Sequence, residues 1–225
     1  MKSIEKKIYN NNFIFDISGV VVRPEKSTLL VSDLHLGKGS GFAKNSELLP
    51  PYDFKDTIER LFDCIIKYKI KKVISLGDSF DNTRILMNIH YQDLSLLQKL
   101  TKEIDFIWVL GNHDQTIYHK NLINGIFLNN HKTGNFTYRH IKKQVNNNKS
   151  FEFSGHYHPK VSIKVNKMKF SYKCFVLSDQ YCILPAFGTY TGGLNIEDLK
   201  KKQIIKANCN EVFVTGKSKM IKLNY

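Results

Sequence analysis

Three short apolar runs punctuate the first half of the chain, and each gives way at once to polar side chains able to bind a metal. Leu29-Leu30-Val31 leads into Ser32-Asp33-Leu34-His35. Val73-Ile74-Ser75-Leu76 leads into Gly77-Asp78, and Phe106-Ile107-Trp108-Val109-Leu110 leads into Gly111-Asn112-His113-Asp114. Runs of this length read as buried strands. Between them the apolar period changes. Ile58, Leu61, Phe62, Ile65 and Ile66 predict a helix from an Asp53 N-cap to about Tyr68. Ile89, Leu94, Leu96, Leu97 and Leu100 predict a second over roughly Leu86 to Leu100. Upstream, Phe13 to Val22 reads as a hairpin turning at Ser18-Gly19.

From about Ile126 the strand–helix alternation stops and the chain becomes β-rich. Phe136 to His140 alternates as a half-exposed strand, and Phe151 to Ser154 is a further strand. Val161 to Val165, Lys169 to Leu177 and Tyr181 to Leu184 alternate like an antiparallel meander. Asn146 to Lys149 is a polar loop. Glu211 to Thr215 and Met220 to Leu223 form a last hairpin turning at Gly216-Lys217.

Composition bounds the partners. The 225 residues include no linker-like stretch, which predicts one domain over 1–225. With 42% hydrophobic residues and 15 Phe, the chain can bury a substantial core. The 34 Lys and Arg against 20 Asp and Glu give a net charge of +14, a field that favours polyanions such as nucleic acid. The lysines are scattered, so charge alone does not select one polyanion. None of the four cysteines (Cys64, Cys174, Cys182, Cys209) sits in a CxxC pair, which argues against a zinc ribbon and for a reducing compartment. Met1 to Asn12 is polar with no apolar signal region, and no apolar run reaches membrane-spanning length. The expectation is a cytoplasmic protein with no membrane association.

The strand-tip residues carry the chemistry. On an extended chain the two-residue spacing of Asp33 and His35 points both side chains the same way. His156 and His158 repeat that spacing between Gly155 and Pro159. His140 is preferred to His131 as a further ligand, because it ends an alternating strand whereas His131 sits in the polar turn Asn129-Asn130-His131-Lys132. Asp33, His35, Asp78, Asn112, His140, His156 and His158 are too many ligands for one ion and suit two. Two metals about 3.5–4 Å apart clamp both oxygens of an in-line phosphoryl displacement. Asp78 would bridge them, a bridging water would become the hydroxide nucleophile, and His113 would protonate the leaving oxygen. The imidazole-rich set favours Mn, Fe, Zn or Co over Mg, with Mn²⁺ the first choice. The loop from Gly37 to Phe42, with Lys38, could approach a phosphate. Asp114 could orient His113 or cap the next segment of the chain.

The ordered set Asp33-x-His35, Gly77-Asp78, Gly111-Asn112-His113-Asp114, His140 and Gly155-His156-x-His158 resembles the calcineurin-like metallophosphoesterases. The resemblance implies an α/β/β/α sandwich of two mixed sheets flanked by helices. It implies one metal held by Asp33, His35, Asp78 and His158, a second held by Asp78, Asn112, His140 and His156, and His113 as the catalytic histidine. Asp33 to Lys38, Pro51-Tyr52-Asp53, Gly155 to Pro159 and above all Leu184 to Gly193 are similar to the bacterial DNA ligase-associated metallophosphoesterases. That likeness implies a manganese-dependent phosphodiesterase or single-strand DNA endonuclease in DNA repair, associated with an ATP-dependent DNA ligase and an Lhr-type helicase. Two positions depart from the pattern. Asp81 stands where many members carry His and Tyr190 where Phe is more usual; neither is expected to touch a ligand, and Asp81 is expected to alter the hydrogen bonding behind the ligands.

Two other functions compete. A small-substrate phosphodiesterase or pyrophosphatase of nucleotide or UDP-sugar type shows Gly-Asn-Arg-Asp where this chain has Gly111-Asn112-His113-Asp114, and a helical insertion absent here. A non-catalytic scaffold of the same fold would tend to have lost ligands or His113.

Overall fold

The computed structural model describes residues 1–39, 52–143, 150–206 and 210–224, with the side chains of 164 and 165 left aside. Of the sequence expectations, the 40–42 part of the glycine-rich loop, Pro51, the polar loop at 146–149 and Cys209 lie outside the described residues.

The first sheet opens with an antiparallel meander of β1 (Ser3–Ile8), β2 (Asn11–Asp16), β3 (Val21–Arg23) and β4 (Thr28–Val31). It continues in parallel through β5 (Lys72–Leu76), β6 (Asp105–Val109) and β7 (Ile126–Leu128), in the order β1-β2-β3-β4-β5-β6-β7. Helix α1 (Asp53–Tyr68) crosses from β4 to β5. The short α2 (Ile85–Asn88) and α3 (Tyr91–Glu103) cross from β5 to β6.

The second sheet contains β8 (His131–Thr133), β9 (Phe136–Tyr138), β10 (Phe151–Ser154), β12 (Met168–Leu177), β13 (Tyr181–Ile183), β14 (Glu211–Thr215) and β15 (Met220–Asn224), with β11 (Lys160–Val165) paired to β12. Its order is β15-β14-β12-β13-β10-β9-β8. Among the described residues, the pairs β9-β10 and β10-β13 of this order run parallel and its other pairs antiparallel. Helix α4 (Ile196–Lys201) packs outside it.

Strand alternation builds the layers, because successive side chains face opposite ways. In β4, Leu29 and Val31 pack against the apolar faces of α1 and α3, while Leu30 faces the other sheet. In β6, Phe106 and Trp108 face the helices, and Ile107 and Val109 face inward. The second sheet mirrors this. Phe175, Leu177 and Phe213 join the inter-sheet core, and Cys174, Val176, Val212 and Val214 pack with Ile196 and Leu199 of α4. Helix, sheet, sheet and helix therefore stack as the expected four-layer sandwich.

Several expectations change. The polar N-terminus holds β1, paired register for register with β2. The predicted second helix is broken at Ile89, which is extended (φ −76, ψ 148). Phe62 and Ile66 lie outside the buried face of α1, at 41% and 60% exposure, and Phe54, Thr57 and Cys64 take their place beside Ile58, Leu61 and Ile65. Asp53 is the first residue of α1 rather than its cap, and its carboxylate accepts from the Gly39 N–H at 3.1 Å. His131 lies in β8 rather than in a turn, and Ile126 to Leu128 completes the first sheet. Among the described residues no helix is long and apolar enough to cross a membrane.

Candidate metal centre

The parallel strands β4, β5 and β6 end at the same edge of the first sheet, so the residues following them share one small region. Neither Asp33 nor His35 is extended, contrary to the simple spacing rule. Strand β4 stops at Val31, and Asp33 (φ 53) and His35 (φ 43) are left-handed. Asp78 (φ 47), His156 (φ 72) and His158 (φ 46) are left-handed as well. Such backbones cost about 1–3 kcal/mol each and persist where surrounding contacts over-determine them. Here the Asp33, His35 and Leu36 N–H groups donate to the carbonyls of Gly77, Asp78 and Ser79 at 3.1, 2.9 and 3.0 Å. The His156 N–H donates to the Asp33 carboxylate at 3.0 Å, fastening the second sheet to the first.

Three groups of ligand atoms, each within 4.8 Å of one another, result among the described residues: Asp33, His35 and His158; Asp78, His140 and His156; and, at the rim, His35, Asp81 and His113. The first two hold the expected ligands. Asn112 joins the second, its Oδ1 3.0 Å from His140 Nε2. Around that same Nε2 stand Asp78 Oδ2 at 3.2 Å and His156 Nδ1 at 3.1 Å. His140 Nδ1 is 2.9 Å from the Leu76 carbonyl. A carbonyl only accepts, so Nδ1 carries the proton and Nε2 is the atom left for a metal. His131 belongs to none of these groups; its ring stacks on Tyr138 and its Nε2 meets Thr133 Oγ1 at 3.0 Å.

The donor set fits cations. Both ring nitrogens of buried His35 and Nε2 of His158 lack a hydrogen-bond partner, an arrangement buried polar groups rarely tolerate. His158 Nε2 lies 3.2 Å from Asp33 Oδ1 but without hydrogen-bond alignment. The two carboxylates and His156 are held in the form a metal needs, whereas for His140 burial is outweighed by contacts with Asp78 and Asp33, which raise its pKa. Burial would raise the Asp78 pKa, but contact with His140 and the His113 N–H outweighs it and brings it to about 2. Burial likewise opposes, and His158, His140 and Ser32 overcome, so Asp33 also lies below the usual carboxylate range. Burial and the neighbouring His140 push His156 down, toward the neutral form that ligates.

His113 stands at the exposed rim, its ring 5.1 Å from that of His35. Its N–H donates to Asp78 Oδ1 at 2.9 Å, and Nδ1 lies 3.1 Å from the Asp81 carbonyl. Nε2 is therefore the nitrogen presented to a substrate. Asp114 does not orient His113 through its side chain. It accepts from Gly111 N–H at 2.6 Å and Ser79 N–H at 2.7 Å, stapling together the loops after β5 and β6.

Other residues at the site carry no sequence motif. Asp81, expected to touch no ligand, lies 3.5 Å from His35 Nδ1 through Oδ1 and holds His113 through its carbonyl. Lys173 donates to the Ala186 and Gly188 carbonyls at 2.6 and 3.1 Å, and Arg60 to the intervening Phe187 carbonyl at 3.1 Å. On the other side, the Phe187 and Gly188 N–H groups donate to the Ser32 and Asp33 carbonyls. The Leu184 to Gly193 block is thus a strap across the Asp33 turn. Burial, then the nearby Arg60 and Lys160, press the Lys173 pKa down to about 8. An alternating strand position gave no sign of this role.

The sequence pattern of the calcineurin-like phosphoesterases matches residues 26–186. The fold is similar to that of a Pseudomonas putida nuclease MPE, with a TM-score of 0.80 at 19% identity, covering 98% of this chain and 100% of that one. A phosphoesterase from E. coli, Yfce, aligns over 88% of this chain and 98% of that one at 11% identity, with a TM-score of 0.44. No curated protein matches the sequence.

Proposed function

The chain belongs to the calcineurin-like phosphoesterase family of metal-dependent hydrolases, and from that premise we propose that it is a two-metal phosphodiesterase acting on DNA. The observation that carries the reading is the pair of adjoining ligand clusters with His113 at their rim. The fold shared with the Pseudomonas putida nuclease and the +14 charge favour a nucleic-acid diester over the small diester or pyrophosphate of a nucleotide or UDP-sugar. Single-stranded DNA is the preferred substrate, Mn²⁺ the preferred ion, and a role in DNA repair beside an ATP-dependent ligase and an Lhr-type helicase follows from the motif resemblance.

In this proposal Asp33, His35, Asp78 and His158 would hold one cation, and Asp78, Asn112, His140 and His156 would hold the other. Bound there, the cations would supply Lewis acidity and an acidified water. The protein's own groups do the rest. The Leu76 carbonyl fixes the His140 tautomer, and the Asp78 carboxylate anchors the backbone of His113. The Asp81 carbonyl keeps the His113 proton on Nδ1, so that Nε2, when protonated, faces the leaving oxygen and can donate to it.

The test uses closed circular single-stranded DNA with Mn²⁺, wild type beside His113→Ala, and bis-p-nitrophenyl phosphate as a generic diester. Opening of the circle by wild type, with loss of about 100-fold or more in the variant, is the expected result. Hydrolysis of the generic diester alone would retain the phosphodiesterase and remove DNA as its substrate.

A further inference from the structure

Beside the second ligand cluster the surface opens into a cleft of about 240 Å³ that shares Asn112 and His140 with the metal centre. Gly111 also lines it and packs on Asp78, while the side chains of the remaining lining residues lie outside both ligand clusters. Gln115, Asn129 and Asn130, all exposed, also line it, the first from the loop after β6 and the others from the β7–β8 connection. Arg139 and Lys143 add two cations, and Ile141, 43% exposed, adds an apolar surface. Among the described residues no carboxylate lines the cleft.

The cationic side is fixed from behind. Glu152, only 1% exposed, places Oε2 at 2.9 Å from Arg139 Nε and accepts the Lys143 N–H on Oε1 at 2.9 Å. A buried carboxylate therefore sets where both residues stand. A carboxamide presents a donor and an acceptor side by side, the pattern by which Asn and Gln read base edges. The volume lies below the roughly 300–1,000 Å³ of sites for drug-sized ligands, a size for one small unit of a polymer rather than a stretch of it. Among the described lining residues there is no Phe, Tyr or Trp, so the carboxamides supply the hydrogen bonds and the Arg139 guanidinium and His140 ring are the planar groups beside them.

We infer that this cleft is a nucleoside subsite. It holds the base and sugar on one side of the scissile phosphate, with Gln115, Asn129 and Asn130 on the base edge and Arg139 and Lys143 toward the adjoining phosphate. The inference rests on the phosphodiesterase reading and adds a preference that the metal centre alone does not supply.

The experiment compares thymidine 5′-p-nitrophenyl phosphate with bis-p-nitrophenyl phosphate, using Mn²⁺ with wild type, Gln115→Ala and Asn130→Ala. Both substrates release p-nitrophenolate, so the leaving group is constant and only the nucleoside differs. The expected result is a rise in KM of roughly fivefold per amide removed for the nucleoside ester. kcat/KM on bis-p-nitrophenyl phosphate should stay within about twofold of wild type, and the melting temperatures should be unchanged. Equal losses on both substrates would overturn the subsite, because the amides would then act only through the metal centre. So would no change on either. If wild type cleaves neither diester with any divalent metal, the phosphodiesterase reading fails and the subsite fails with it. If wild type cleaves both, failure of the selective effect removes the subsite alone.

Discussion

Left-handed backbones at Asp33, His35, Asp78, His156 and His158 place the ligand residues where no regular strand or helix would. Gly77 makes one of these turns feasible. Its φ of 87 suits glycine, and a Cβ there would fall on the His140 ring. Gly77→Ala should therefore cost at least about 1–3 kcal/mol of stability and displace His140. Thermal melting together with diester hydrolysis checks this, and an alanine variant with wild-type values for both would contradict it. The candidate ligands that the structure brings together could be picked out in the sequence, because repeated carboxylate and imidazole types at strand ends leave a chemical signature. Lys173 and Arg60 left none. They act through backbone carbonyls of a strap more than ten residues away in sequence, and any long cationic side chain could have looked the same. Asp81 was seen but misjudged, since the bend that brings it to His35 comes from pairing between residues 36 and 80, outside any regular strand.

At the scale of elements, continuous apolar runs located β4, β5 and β6 because these strands are buried on both faces. This reading failed where the pattern is polar or short. β1 reads Ser-Ile-Glu-Lys-Lys-Ile and is held as an edge strand by backbone pairing to β2. α4 has only six residues, buries Ile196 and Leu199, and starts with Asn195 accepting the Glu197 N–H at 3.1 Å. A less visible tie joins β2 to the end of α1. Asp16, 2% exposed, accepts from Lys67 Nζ and Tyr68 Oη at 2.6 Å each and from the Ser18 N–H at 2.8 Å. Burial would raise its pKa, but these bonds outweigh it and hold the carboxyl below its usual range. A carboxylate depressed on folding contributes stability above its unfolded pKa of about 3.9, and that stability is lost as pH falls through the folded value. Asp16→Asn should thus melt lower than wild type near neutral pH, and the gap should close as pH drops below about 4. Equal melting temperatures across that range would show that the tie contributes nothing.

For the whole molecule, two sheets meet along one apolar interface and bring their loops to a common edge. The His156 N–H on Asp33 and the His140 ring beside Asp78 make the centre dependent on both sheets. The +14 charge predicts that cleavage of single-stranded DNA weakens steeply with salt. A site engaging several phosphates should lose about tenfold or more in apparent affinity between 50 and 200 mM salt, while bis-p-nitrophenyl phosphate hydrolysis changes little. Parallel salt titrations of the two activities measure this, and equal sensitivity would mean that the field does not bind the polymer.

The most direct measurement of the central claim is the stoichiometry of Mn²⁺ bound to metal-stripped protein, by equilibrium dialysis with elemental analysis. Wild type should bind two ions per chain. His35→Ala should retain one, held by the Asp78, His140 and His156 cluster, and should lose hydrolysis of bis-p-nitrophenyl phosphate. A wild type that saturates at one ion, or a His35→Ala protein that still binds two and hydrolyses normally, would contradict the two-metal account.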